Sequence, residues 1–310
     1  MSKILAVFGA TGQQGTSVVN YVLNDPELSQ KYKIRAITRD VDSEKAKQLK
    51  EKVDVVQGDP LDRTSLETAL TGVHTVFIMT VNYFVPNGHE IQYNTGKMMA
   101  DVAVEKGAKY IIFSTLPPVK EISGGKYALN PFDVKAEIEK YIRGLSINSA
   151  FLSAGSFMEN FQAQTFLALQ PAPDGTWVMA RHLSPQTKWP LLDVVGDIGK
   201  FVGAILADPD KYEGNTFCAA TALYTSEEII ATISKTTGKT VVYKQIPRED
   251  FKKTLPPEIA DLYTEYFSYV EEFGYYGPDS EKLVAWAAAN ARGRLHTFEE
   301  FLQAHPVRLE

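Results

Sequence analysis

Gly9-Ala10-Thr11-Gly12-Gln13-Gln14-Gly15 closes an apolar run, Ile4 to Phe8, and opens a stretch in which Val18, Val19, Val22 and Leu23 recur at helical spacing. A buried strand, a turn with three glycines and an amphipathic helix are therefore read in succession. Each glycine has a physical task. The first permits a tight turn, the second lets backbone approach a pyrophosphate, and the third lets helix and strand pack closely. Amides exposed at the helix start, reinforced by the helix dipole, favour the negative charge of a phosphate. Three glycines alone are a weak sign, because glycine also marks plain turns. Their place between strand and helix makes them a dinucleotide-binding turn, with Gly9, Thr11, Gly12, Gln13, Gln14 and Gly15 as its residues.

From Lys3 to Leu152, short β-branched runs alternate with longer amphipathic stretches, as expected of strands joined by crossover helices. The strands are read as Ile4 to Phe8, Lys33 to Thr38, Val53 to Gln57, Thr75 to Met79, Tyr110 to Ser114 and Asn148 to Leu152. Met98, Val102 and Ala103 form a second helical stripe. Beyond Ala154 the regularity decays. Short strands are expected around Trp177 and Leu191, a helix from Val194 to Leu206, and a strand at Thr216 and Phe217. A helix from Ser226, a strand from Thr240 to Ile246 and a helical region from Glu258 to Phe273 follow. The fold class is α/β, a doubly wound parallel sheet of the Rossmann type with a smaller mixed α/β C-terminal lobe. The division expected is a nucleotide-binding domain over 1–153, to which a later strand and helix return, and a lobe over 154–310. That lobe caps the carboxyl ends of the strands, where ligands bind in such folds. Aromatic and acidic residues concentrate between Pro256 and Glu281, the best candidate for a separate lobe.

Outside the glycine turn, Arg39 ends the second strand in Ile37-Thr38-Arg39-Asp40. A carboxylate there would hold a ribose 2′-hydroxyl, whereas the planar guanidinium suits a 2′-phosphate, so the cofactor read is NADP(H). The plain alternative is a solvated charge at a strand end, with Asp40 turned inward instead. Asp59 follows the third strand and is read either as a contact for an adenine edge or as a helix-leading turn residue. Thr80, directly after the fourth strand, joins the cofactor-binding set. Asn130-Pro131 reads as an N-cap and first helical residue, so a helix is expected from Pro131 to about Arg143. Along it Lys135, Ile138 and Ile142 share one stripe, which places an amine among sheet-facing isoleucines. Lys135 either snorkels as a structural residue or points into the cofactor cleft, to hold ribose hydroxyls or donate a proton. Ile259, Leu262, Tyr266, Val270 and Phe273 have helical period and read as packing, or as the wall of a substrate or partner groove.

Composition narrows the function classes. The chain has 310 residues, 44% hydrophobic and 23% charged, with a net charge of −6 and no dense basic run, so direct nucleic-acid binding is not expected. Cys218 is the single cysteine, which excludes an internal disulfide and points to a reducing compartment, cytosol or nucleus. No window reaches the roughly 18 apolar residues of a membrane helix. His74, His89, His182, His296 and His305 show no metal-ligand spacing, so no metal site is expected, and no Gly-x-Ser-x-Gly elbow is present.

Together these motifs resemble the NmrA-like family, an atypical branch of the short-chain dehydrogenase/reductase superfamily, over nearly the whole chain. The segments that carry the resemblance are Gly9 to Gly15, Arg35 to Asp40, Gly58-Asp59, Phe132-Asp133-Val134-Lys135, Phe157-Met158-Glu159-Asn160-Phe161 and Phe273-Gly274-Tyr275-Tyr276. The resemblance implies NADP(H) along the sheet edge, Lys135 as the superfamily's active-site lysine, and Phe157 and Asn160 bordering the nicotinamide end. One departure matters. The superfamily's proton-donating tyrosine lies four residues before that lysine, and here Pro131 stands there. Tyr127 would reach inward only if its loop folded back. Two functions follow as expectations: a redox- or nucleotide-sensing regulator acting on a protein partner such as a transcription factor, or an NADPH-dependent reductase of a small molecule with an activated C=C, quinone, imine or carbonyl.

Overall fold

A computed structural model describes residues 2–162 and 168–309. The first half runs β1 (Lys3–Phe8), α1 (Gln13–Asn24), α2 (Leu28–Lys31), β2 (Tyr32–Thr38), α3 (Glu44–Lys50), β3 (Asp54–Gln57) and α4 (Arg63–Leu70). It continues with β4 (Thr75–Met79), α5 (Gly88–Glu105), β5 (Tyr110–Thr115), α6 (Val119–Ile122), α7 (Asn130–Arg143) and β6 (Asn148–Ala154). The second half contributes β7 (Ser156–Phe157), β8 (Gln170–Pro171), β9 (Trp177–Arg181), β10 (Lys188–Leu192), α8 (Val194–Ala207), β11 (Thr216–Ala219) and β12 (Ala222–Thr225). Then come α9 (Ser226–Thr237), β13 (Val241–Gln245), α10 (Arg248–Lys253), α11 (Pro257–Phe273), α12 (Ser280–Asn290) and α13 (Phe298–Ala304).

Seven strands form one sheet in the order β11-β6-β5-β4-β1-β2-β3, and every pairing in it is parallel. Both faces are covered. Leu5 and Val7 of β1 face one apolar core with Val18, Val19 and Phe201, while Ala6 and Phe8 face the other with Met99, Val134 and Ile138. Burial on both sides is why these strands read as continuous apolar runs rather than as an alternation. The chain order reverses between β1 and β4, and the crevice above their carboxyl ends is where ligands enter such sheets.

The later strand and helix expected to rejoin the sheet are β11 and α8. β11 pairs with β6, and α8 lies across α1 so closely that a Cβ on Gly199 would come within 2.4 Å of Tyr21 Cβ. The Ser17 hydroxyl accepts a hydrogen bond from the Gly199 amide at 2.9 Å, tying the helix of the glycine turn to the second half. The remaining strands form two small sheets, β12-β10-β7 and β13-β9-β8, above the carboxyl edge. The aromatic stretch from Pro256 to Glu281 is no separate lobe. It seats on the main sheet through the Tyr275 hydroxyl, which donates to Ala154 O at 3.0 Å, and the Tyr276 hydroxyl, which donates to Ser153 O at 2.9 Å.

The cap of α7 also differs from expectation. Leu129, not Asn130, is the N-cap, and Asp133 reaches back to accept from the Leu129 amide at 2.8 Å. With that carboxylate serving the helix start, Asn130 is drawn inside the helix and its side-chain oxygen meets His89 Nδ1. No helix among the described residues is long and apolar enough to cross a membrane.

Candidate functional site

The glycine turn is built as its spacing implies. Gly9 sits at φ +64°, and a Cβ there would lie 2.6 Å from Met79 Sδ. Its carbonyl accepts from the Gly12 amide at 2.9 Å, closing the turn. A Cβ on Gly15 would stand 2.2 Å from Gly9 O, so helix and strand meet there with no room for a side chain. Gly12 is different. Its Cβ would meet only Gly9 O, at 3.3 Å, so internal packing asks little of this position. Its bare backbone matters for what approaches from outside. The start of α1 has neither a side-chain cap nor an acidic residue in its first turn. None of the hydrogen bonds formed by the described residues engages the amides of Gln13, Gln14 or Gly15. These are donors awaiting an anion.

Arg39 lies one residue past β2, exposed, its guanidinium engaged by no partner among the described residues. Its carbonyl accepts from Gln57 Nε2 at 3.3 Å. Asp40 does not turn inward as the alternative required, because its carboxylate accepts from the amides of Asp42 at 2.9 Å and Ser43 at 3.1 Å. A second cation joins Arg39: Lys45 reaches from α3 to within 3.5 Å of Thr11 O. Nothing in the local spacing marks Lys45, since only the parallel pairing of β2 beside β1 carries α3 across to the glycine turn. Asp59 spends one carboxylate oxygen on the Leu61 amide at 3.0 Å, and its own amide donates to Ser65 Oγ at 3.1 Å, the behaviour of a turn residue. These groups fit a diphosphate at the turn and a phosphorylated ribose at the β2 tip.

At the other end of the crevice, Lys135 is buried, 8% exposed, on the same α7 stripe as Ile138 and Ile142. Its Nζ donates to Thr80 O at 2.8 Å and Thr80 Oγ1 at 2.9 Å. Gln92 on α5 fixes that hydroxyl from the far side, donating to Thr80 Oγ1 at 3.0 Å. The two helices come this close because Gly96 lies against Ile138, where a Cβ would be 2.7 Å from Ile138 Cδ1. Burial alone, with no carboxylate nearby to hold the charge, pulls the Lys135 amine from 10.5 down to about 7. Thr80 is thus a partner of the lysine as well as a wall of the cleft.

Lys135, Thr80, Gln14, Phe157 and Asn160 all line one cavity of about 1030 Å³. Ser114 at the end of β5 donates to Gln14 Oε1 at 2.8 Å, linking the glycine turn to this chamber. The walls are aromatic. Phe132, Trp177, Trp189 and Tyr266 face it, together with Leu262 and Phe267 from α11. Of the α11 stripe, then, Leu262 and Tyr266 reach the cavity while Val270 and Phe273 pack against Tyr269 and Tyr275. Tyr127 does not fold back: its hydroxyl donates to Glu272 at 3.1 Å and its ring lies edge-on to Phe273.

The histidines are not all isolated. His296 Nδ1 lies 2.8 Å from Asp193 and 3.3 Å from Asp197, close enough for the three to share a cation. Lys200 already pairs with Asp197 at 2.6 Å, and Asp193 caps α8 by accepting from the Gly196 amide at 2.7 Å. Sequence spacing missed this cluster because His296 lies far along the chain from the α8 carboxylates.

A model of the NmrA-like family matches residues 1–302. An NmrA-like family domain-containing protein of Dictyostelium discoideum is 30% identical over the whole of both chains. The NmrA-like family domain-containing oxidoreductase lnaB of Aspergillus flavus is 27% identical over 91% of this chain and 88% of its own. Among solved structures, NmrA, described as a negative transcriptional regulator in complex with NADP, superposes with a TM-score of 0.80 at 23% identity, covering 98% of this chain and 95% of that one. By the family match along nearly its full length, the chain belongs to the NmrA-like family.

Proposed function

We propose that this protein is an NADPH-dependent reductase of an activated double bond, quinone, imine or carbonyl. The observation that carries the reading is the aromatic cavity of about 1030 Å³ that joins the glycine turn, through Gln14, to the buried Lys135 amine. Its volume is at the upper end of the range for sites that enclose small molecules. The cofactor, when bound, supplies the hydride. Amides at the start of α1 hold its diphosphate, Arg39 and Lys45 take the 2′-phosphate, and Asp59 has one carboxylate oxygen left for the adenine edge. Gly9, Thr11, Gly12, Gln13, Gln14 and Gly15 form the cradle, and Phe157 and Asn160 border the reacting end. Lys135, oriented by Thr80 and Gln92, donates the proton. An amine near 7 is poised for that at neutral pH, and general acid catalysis of this kind is worth roughly 10² to 10⁴ in rate. The aromatic walls exclude water and orient the acceptor. The name of the Aspergillus flavus relative agrees with this chemistry.

A second reading is favoured by Pro131, which stands where the superfamily places its tyrosine. In it the protein senses nucleotide redox state and presents a ligand-dependent surface to a protein partner, as the regulator NmrA is named for repression. Either activity suits cytosol or nucleus, with Cys218 buried and its thiol pushed up to about 12.

Following NADPH absorbance with quinones, imines and enones separates the two. Turnover that collapses in Lys135→Ala but survives in surface controls supports the reductase. Silence across the panel, in a protein that still binds NADP⁺ and NADPH with unequal affinity, would replace it by the sensor.

A further inference from the structure

The cavity that the reductase reading assigns to the substrate has a one-sided electrostatic lining. Lys135, Arg181 and Arg308 face it, and no aspartate or glutamate does among the described residues. The chain as a whole is acidic, with 38 Asp+Glu against 32 Lys+Arg, so a lining of this size drawn without bias would hold several carboxylates. Arg181 is the informative member. It ends β9, and its guanidinium lies over the rings of Phe251 at 5.8 Å and Phe267 at 5.9 Å, with Nη1 donating to Ala180 O at 2.7 Å. Burial draws it from 12.5 to about 10, which still leaves it charged at neutral pH. Aromatic faces hold a cation in place but neutralise it little, so an anion entering this dry wall gains a strong charge-assisted contact. Arg181 belongs to the small sheet β13-β9-β8, whereas Lys135 belongs to the helix layer of the main sheet. The cavity spans both, and between them Trp177, Trp189, Tyr263 and Tyr266 form flat walls.

We infer that the substrate is an aromatic anion: a planar ring system carrying a carboxylate or comparable oxyanion, with its charge drawn to Arg181 and its reducible group presented to Lys135. This assignment rests on the reading of the chamber as a substrate site. It adds that charge, and not ring size alone, selects what enters. Arg308, on the C-terminal segment that closes the chamber, contributes a second, more exposed cation.

The test uses a matched pair of fluorescent probes on the full chain with saturating NADP⁺. 8-Anilinonaphthalene-1-sulfonate and N-phenyl-1-naphthylamine share a ring body and differ by the sulfonate. The sulfonate probe is expected to bind the native protein on the order of tenfold tighter, and Arg181→Gln to abolish most of that preference while leaving the neutral probe unchanged. Arg181→Lys should restore part of it, and Arg308→Gln should reduce it less. Equal affinity of the native protein for both probes would overturn the inference, and this arm needs no variant to fold. So would a preference that survives intact in an Arg181→Gln, Arg308→Gln double variant with native far-UV circular dichroism. Titration with NADP⁺ alone keeps the two readings apart. Loss of nucleotide binding sinks the reductase, whereas bound nucleotide without anion preference sinks only the substrate class.

Discussion

Replacing Gly12 and Gly15 in turn by alanine separates what the glycine turn does for the fold from what it does for a ligand. At Gly15 the new Cβ would sit 2.2 Å from Gly9 O and 2.6 Å from Gly9 C, both backbone atoms, and ordinary contact begins near 3.4 Å. Helix and strand must separate by more than an ångström, an overpacking that costs about 3 kcal/mol. Roughly 1 kcal/mol is returned by alanine's better helix propensity. The net loss of about 2 kcal/mol lowers the melting temperature by about 4 to 8 °C in a chain of this size. Gly12 sits at φ −91° and ψ 173°, open to any residue, and its Cβ would meet only Gly9 O at 3.3 Å. Stability should move by less than about 1 kcal/mol, the cost of a poorer cap. A methyl group on the face of the free amides blocks the diphosphate, so NADP⁺ affinity in isothermal calorimetry should fall at least about tenfold. Thermal melts of the free protein and titrations of both variants decide the matter. A Gly12→Ala protein that binds NADP⁺ like the native chain would refute the assignment of that amide face.

Arg39→Ala and Lys45→Ala should each weaken NADP⁺ by about 1 to 2 kcal/mol while leaving NAD⁺ unchanged; a parallel loss for both nucleotides in competitive titrations would remove the 2′-phosphate role. For Lys135 the folded amine titrates near 7 and the unfolded one near 10.5, so between those values the unfolded chain holds a proton that the folded chain lacks. Stability therefore rises with pH across that window, by at most about 5 kcal/mol. Lys135→Met should flatten the rise, and urea midpoints at pH 7 and pH 9 that shift equally in both proteins would show the amine is not depressed. Tyr127→Phe should leave reductase turnover unaltered, since its hydroxyl serves Glu272, and a loss of more than about tenfold in kcat would place that ring in the site after all.

The sheet was legible because burial on both faces writes each strand as an unbroken apolar run. Thr75 to Met79 matches β4 at both ends, and Ile4 to Phe8 falls one residue short of β1. Lys135 was legible through its isoleucine neighbours. What escaped depends on contacts between distant segments. β7 and β8 have two residues each and exist only through pairing with β10 and β9. Lys45 reaches Thr11 across a strand pairing, and His296 meets Asp193 through the packing of the last segments on α8. The Asn130 cap misled because Asp133 and Asn130 are both good cap-forming residues, and only the fold shows which of them serves the helix start.

Pro131 and the depressed Lys135 amine belong to one arrangement. Where a tyrosine donates the proton, a charged lysine beside it is useful, because a cation lowers the phenol toward neutrality. Such a lysine needs a carboxylate or water to stay charged. Here the residue four before Lys135 is a proline, and burial is the only cause that shifts the amine. A carboxylate beside Nζ would hold it near its ordinary value and make it a poor acid at neutral pH. Without one, the ammonium is an acid of about the right strength, and Thr80 O and Oγ1 take two of its protons while the third remains for the cavity. Loss of the tyrosine therefore moves the donor one step back along the same helix, onto an amine that burial has already prepared for the task.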